Sequence, residues 1–190
     1  LEKVREVGVH LHFNCSIRQG STTDEWLLEN GASIEASKII LCTNGYTKNL
    51  LADSNIRPAR GYVLLTEDVE NMPWKGPFHM HQGYVYFRNV GKKLLLGGFR
   101  QLDMKAEESL SSDINPLIKN GLLKLALNFL ELPKNLRIEK EWVGHMGFTP
   151  SGVPEIQQIG NKTLLAGGFN GMGVALGMGF GKKVAEYSSN

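Results

Sequence analysis

The sequence predicts a mixed fold, α/β plus α+β, in which an α/β unit is split around an inserted mixed-sheet layer. Two observations carry this. A continuous apolar run, SKIILCTNGYT, and a strand–glycine–helix run, TLLAGGFNGMGVALGMGFGKKVAEY, stand at opposite ends of the chain and read as buried α/β elements. Between them lie alternating strands and one amphipathic helix, so residues 58–145 form a layer between a leading part, 1–57, and a returning part, 146–190.

In chain order, VHLHFNCSIRQ (Val9 to Gln19) alternates apolar and polar residues as a half-buried strand does. Asn30-Gly31 lies between two short strand-like runs and marks a hairpin, since both turn positions need positive φ. SKIILCTNGYT suits a strand buried on both faces with a functional loop at its end. IRPARGYVLLTED is a strand after Pro and Gly punctuation, and YVYFRNVGKKLLLGGFR is a hairpin turning at Asn89-Val90-Gly91. Asn115-Pro116 is an N-cap followed by proline at the first helical position. Ile118, Leu122, Leu125, Ala126 and Phe129 then recur at helical spacing, so the helix runs from Pro116 to Leu130 and stops at Leu132-Pro133. RIEKEWVGHMGFT returns to strand character.

Charge excludes some partners. Of 190 residues, 21 are Lys or Arg and 19 Asp or Glu, a net +2, with no basic run beyond two residues. Nucleic acid or an anionic membrane therefore gains no electrostatic support as a partner. Cys15 and Cys42 stand apart in apolar stretches and read as reduced core thiols of a cytoplasmic protein. No metal site is expected. His79 and His81 flank Met80 on one strand face without a third ligand, which suits a surface or pocket rim.

From Thr163 to Gly181 no residue is charged and seven of nineteen positions are glycine. A membrane helix with GxxxG spacing at Gly173, Gly177 and Gly181 is one reading, opposed by the glycine content and by the turn at Gly168-Phe169-Asn170-Gly171. A dinucleotide fingerprint is a second, but only thirteen residues follow Gly177, too few for the next strand and its acidic residue. The third is a helix beginning at Gly171 whose free N–H groups meet a ligand. Interior glycines cost ~0.5–1 kcal/mol each relative to alanine, so close packing along that helix is expected, against sheet or ligand.

Four stretches in order, ILCTNGYTKNLL, RPARGYVLLTE, EWVGHMGFTPSGVPEIQQIG and LLAGGFNGMGVALGMGFGKKVAE, resemble the D-amino-acid-oxidase type of FAD-dependent oxidoreductase, which includes glycine, sarcosine and γ-glutamylputrescine oxidases. The resemblance implies a Rossmann-like FAD-binding domain with a mixed-sheet substrate domain inserted, and an upstream GxGxxG for the ADP part of FAD. The chain is thus expected to be a C-terminal portion whose partner is the N-terminal half of the same protein. Residues 1–57 and 146–190 then belong to the FAD-binding domain and 58–145 to the substrate domain. By the same resemblance Thr43, Asn44 and Gly45 form a strand-end loop of the FAD domain, and Arg60 and Gly61 lie near the flavin. Gly168, Asn170, Gly171, Met172, Gly173 and Val174 line the pyrimidine side of its ring. The implied reaction oxidises a small amine or amino acid by hydride transfer to flavin N5, with hydrolysis of the imine.

Two departures from the family pattern matter. Met146 stands where the glycine-oxidase branch has an arginine that clamps the substrate carboxylate. Arg100 on the neighbouring strand is the replacement or, equally, a solvated strand end. Cysteine for covalent flavin attachment is absent from HMGFT, so noncovalent FAD is expected. Tyr84 and Tyr86 share a strand face and either cover substrate or pack the sheet, and Trp142 fills a core. Two alternatives from other classes stay open: an NAD(P)-dependent dehydrogenase, and a piece that binds no cofactor.

Overall fold

The computed structural model describes residues 2–189. Helix α1 (Glu2–Glu6) precedes strands β1 (Ile17–Gln19), β2 (Trp26–Leu28) and β3 (Ile39–Leu41), then the short helix α2 (Thr47–Leu50). The middle holds β4 (Arg57–Asp68), β5 (Pro77–Met80), β6 (Val85–Val90), β7 (Lys93–Gly98), α3 (Pro116–Asn128) and β8 (Ile138–Phe148). The chain closes with β9 (Glu155–Gln158), β10 (Thr163–Gly167) and α4 (Gly173–Ser189).

These form three sheets. β1 and β2 pair alone; β3, β10 and β9 make a second sheet, with β10 parallel to β3 and antiparallel to β9. The third is antiparallel, in the order β5-β6-β7-β4-β8. The mixed α/β character expected of the two ends thus comes from β3 and β10, far apart in sequence and adjacent in space. Trp26 is fully buried in a small core with Leu41, Ile56 and Leu165, and its indole donates to Thr163 Oγ1 at 3.3 Å.

The main core lies between one face of the five-stranded sheet and α3. Asn115 caps the helix by accepting from the Leu117 amide at 3.0 Å, and Pro116 occupies the first turn as expected. Ile118, Leu122, Leu125 and Ala126 are buried against Tyr62, Leu64, Val85, Phe87, Leu94 and Leu96. Each buried Val, Leu, Ile or Phe among them contributes about 1.5–3 kcal/mol.

Several expectations need correction. Residues 9–16 form no strand, and only Ile17–Gln19 pairs, because period-2 alternation needs a partner strand and β2 offers three residues. β3 is not buried on both faces, since Ile40 is exposed at the sheet's edge. The hairpin turns at Gly91-Lys92, because Val90 pairs with Lys93. α3 ends at Asn128, and Phe129, beyond its last turn, is 63% exposed. Cys15 and Cys42 are both exposed and are not core thiols. His79 lies in β5, whereas His81 leaves the strand at φ +48°, so the two share no strand face. Among the described residues no helix is long and apolar enough to cross a membrane.

At the outer end of β8, the Tyr62 hydroxyl donates to Glu141 at 2.6 Å and Lys119 of α3 pairs with the same carboxylate at 2.8 Å. Burial first, and then the facing carboxylate, push the Tyr62 phenol well above the usual tyrosine range. A phenol that ionises later in the folded than in the unfolded chain adds stability that is fully present below about pH 10 and lost as pH rises toward the folded value. Urea unfolding between pH 8 and 11 should show this decline, and Tyr62→Phe should flatten it; an unchanged slope in the variant would assign the decline to other groups.

Candidate functional site

The site forms where the ends of β3, β8 and β10 meet. Beyond β3, Thr43–Tyr46 turn sharply, with Asn44 at φ +45° and the Thr43 hydroxyl 3.0 Å from that of Thr47. Gly45 is buried because a Cβ there would lie 2.7 Å from the Met146 carbonyl oxygen of β8. Asn44 Oδ1 accepts from the amides of Gly168 and Phe169 at 3.0 and 3.3 Å. The loop after β3 and the turn after β10, separated by more than 120 residues, are thereby one unit.

The turn itself holds Gly168, Asn170 and Gly171 at φ +77°, +52° and +84°. Asn170 is fully engaged: its Oδ1 accepts from the Thr149 amide at 3.0 Å, its Nδ2 donates to Thr149 Oγ1 and its own amide donates to the Gly147 carbonyl. The Met172 amide donates to Phe169. α4 begins at Gly173, two residues later than expected. Among the described residues the amides of Gly171, Gly173 and Val174 meet no acceptor. Such an N-terminus carries about half a positive charge and favours an electron-rich ligand. Val174 and Met172 are exposed. A Cβ at Gly177, Gly179 or Gly181 would meet nothing within 4 Å, so the close packing expected along α4 is not made within the described chain.

The five-stranded sheet supplies the facing wall. One ladder row crosses all five strands on the face opposite α3: His79, Tyr86, Gly97, Val63 and Trp142. None of these belongs to the main core, and Trp142, expected to fill a core, is 42% exposed. Tyr86 lies across Gly97, where a Cβ would come within 2.7 Å of its ring, and burial raises its phenol pKa. On the same face Ala59 pairs with Met146, whose Cε is 3.0 Å from a Cβ position at Gly61 and whose sulfur is 3.6 Å from one at Gly171. Met146 therefore touches both the sheet and the turn. Further along, the Arg100 guanidinium lies 4.0 Å over the Phe148 ring and 5.9 Å from that of Tyr84.

Of the residues singled out in sequence, those of the two loops, Gly61 and Met146 meet at this junction, whereas Arg100 and Tyr84 stand by Phe148 and Tyr86 lies across Gly97 on the open face. Arg60 points instead into the interior, where its Nε meets Glu107 at 3.1 Å. Glu107, Thr149 and Phe148 escaped sequence reading. Glu107 sits in an irregular stretch with no periodicity, and Phe148 and Thr149 end and follow a strand whose limit only the fold reveals. His145 also went unmarked; its Nδ1 is 2.9 Å from the Tyr46 hydroxyl and its Nε2 3.2 Å from the Ser111 carbonyl. No cluster of three metal-ligating side chains occurs among the described residues.

No curated protein sequence matches the chain. Solved structures do. A thermally stable mutant of fructosyl peptide oxidase aligns with a TM-score of 0.77 at 13% identity, over 97% of this chain and 51% of that one. Glycine oxidase from Geobacillus kaustophilus gives 0.75 at 15%, over 97% and 50%. L-proline dehydrogenase from P. horikoshii gives 0.71 at 18%, over 90% and 48%. At such identities the likeness concerns the fold, and the chain spans about half the length of each neighbour. The family model described as FAD dependent oxidoreductase matches residues 1–187, from one end of the chain almost to the other, and the chain belongs to that family.

Proposed function

We propose that the protein containing this chain oxidises a small amine or amino acid with noncovalently held FAD, whose ring end lies between the α4 N-terminus and the open face of the five-stranded sheet. The observation that carries this is the set of unengaged amides at Gly171, Gly173 and Val174, in a turn that Met146 of the sheet touches at Gly171. When bound, the flavin supplies the hydride acceptor, N5, and negative charge then develops on the pyrimidine side of the ring. Amides already aimed there lower the energy of that charge without reorganising. Thr43, Asn44 and Gly45 fix the turn that presents them, with Gly168 and Asn170 at its base and Met172 at its exit. Arg60 holds the strand from behind through Glu107, while Met146 rests on Gly61. Tyr84, Tyr86, Met146 and Arg100 line the substrate side, where they exclude water and orient the amine. No side chain at the junction is needed as a base if the amine arrives neutral.

In this reading residues 1–57 and 146–190 contribute to the cofactor domain and 58–145 to the substrate domain, while the ADP end of FAD is held by protein outside this chain. The test is direct. The whole protein should purify with a flavin spectrum, and anaerobic addition of its amine substrate should bleach it. A colourless protein that turns over only with a nicotinamide cofactor would overturn the proposal.

A further inference from the structure

Phe148 is the centre of a second arrangement on the open face. Its direct partner across the β4–β8 ladder is Arg57, and Arg100 reaches over its ring from the end of β7. The two arginines line one cleft of about 240 Å³, together with Met104, Glu108 and Pro150. That volume lies below the ~300–1,000 Å³ usual for drug-sized ligands and suits a small polar molecule.

The arginines are uncommitted. Among the described residues neither guanidinium has a carboxylate within 4.0 Å or a hydrogen-bond acceptor in reach, whereas Arg60, deeper in the same strand, has both. Arg57 is exposed, but Arg100 is half-buried, with five N–H donors, the rings of Phe148 and Tyr84 beside it and the Glu108 carboxylate in the same cleft but beyond ion-pair distance. Burial lowers its pKa, but a guanidinium stays charged at neutral pH. A desolvated, unpaired fork of this kind is suited to a carboxylate, which it grips through two parallel hydrogen bonds. Stacking on Phe148 holds the fork in place before a ligand arrives. The cleft is also beside the proposed flavin end, since Phe148 is two residues, about 7 Å, along β8 from Met146, which touches the turn before α4.

The charges in the cleft set the class of ligand. Two guanidiniums in one cleft match a molecule with two carboxylates, and its amine, neutral as the functional reading requires, needs no charged partner there. We propose that Arg57 and Arg100 form a two-point anion subsite that selects an amine substrate bearing two carboxylates, an acidic amino acid or imino diacid, over monocarboxylic and uncharged amines. Arg100 holds one carboxylate against Phe148 and Arg57, the more exposed of the two, holds the second, while Glu108 lines the same cleft. The assignment of this ligand as substrate rests on the flavin reading above; the anion subsite itself does not.

The test is calorimetric titration of the whole purified protein with glutarate, butyrate and butylamine as unreactive probes. Glutarate should bind at least about 10-fold more tightly than butyrate, and butylamine should not register. Arg57→Ala should reduce glutarate to the level of butyrate. Arg100→Ala should weaken both by roughly 10- to 100-fold, with Arg100→Lys between, because it keeps the charge and loses the fork. Equal affinities for glutarate and butyrate in the parent protein would overturn the proposal without any variant being needed, as would variants that bind like the parent. A protein that prefers glutarate but carries no flavin would overturn the functional reading and leave the subsite standing; a flavoprotein indifferent to the second carboxylate would do the reverse.

Discussion

Asn44→Ala should destabilise the protein by about 3 kcal/mol and lower its flavin content in parallel. Asn44 Oδ1 is the acceptor for the Gly168 and Phe169 amides, and Gly168 is buried. Without that oxygen two donors lose their partner, at about 1–3 kcal/mol for each that water cannot reach. The longer, partly exposed bond to Phe169 belongs at the low end of that range. Alanine adds about 1 kcal/mol of backbone strain, because Asn44 holds φ +45°, a conformation that asparagine tolerates and alanine resists. In a domain of this size the sum corresponds to a fall in melting temperature of roughly 6–12 °C. The effect reaches function through the turn, which no longer presents the Gly171, Gly173 and Val174 amides in one direction. Two companions separate the causes. Asn44→Gly keeps the backbone free and removes the acceptor, so it should remain destabilised by about 2 kcal/mol; Asn44→Asp keeps an acceptor and should recover most of the loss. Parent-like melting of the alanine variant would mean that the two loops are held together by other contacts.

Sequence and structure part company where long-range partners decide. The strands β4, β8 and β10 and the start of α3 are legible because their signals are local: apolar alternation, a buried run, and Asn115-Pro116. The two motifs that carry Asn44 and Asn170 are also legible, and Asn44 and the Gly168–Asn170 turn do come together. Their division of labour is not. Asn170 reads as a ligand-facing residue, yet both ends of its amide are engaged with Thr149 and Gly168, a fact that only the position of Thr149 reveals. The stretch from Val9 to Ser16 alternates as a strand should, but alternation describes one strand and pairing needs two. The α4 glycines show the converse. Their spacing implies a close neighbour, and the described chain brings none against them. Arg57 and Glu107 have no local signature at all, since each gains its meaning from a residue more than 40 positions away.

Glu107 carries the largest effect expected from a single side chain. Its carboxylate is 1% exposed and accepts from Arg60 Nε at 3.1 Å and from Asn115 Nδ2 at 3.0 Å, while its carbonyl accepts from the Arg60 amide at 2.9 Å. Asn115 also bonds Asp103 and caps α3, so one carboxylate ties the irregular segment 103–115 to the middle of β4 and to the start of the helix. Glu107→Ala leaves the Arg60 guanidinium, itself only 10% exposed, charged and without its partner, and should cost about 3–5 kcal/mol. Glu107→Gln preserves an acceptor for both donors but not the charge, and should fall near half of that. The pair is a different matter from either member. Removing both charges, as Arg60→Met with Glu107→Leu, also removes the desolvation that each charge suffers, so the double variant should be more stable than Glu107→Ala alone. Urea unfolding of the parent, Arg60→Met, Glu107→Leu and the double variant measures the coupling. If the double variant is as unstable as the sum of its parts, the ion pair is not what holds β4 against the segment that covers it. If the coupling is found, Arg60 acts on the site only through the strand that carries Gly61, and flavin content should follow stability across the series without a separate step at Arg60.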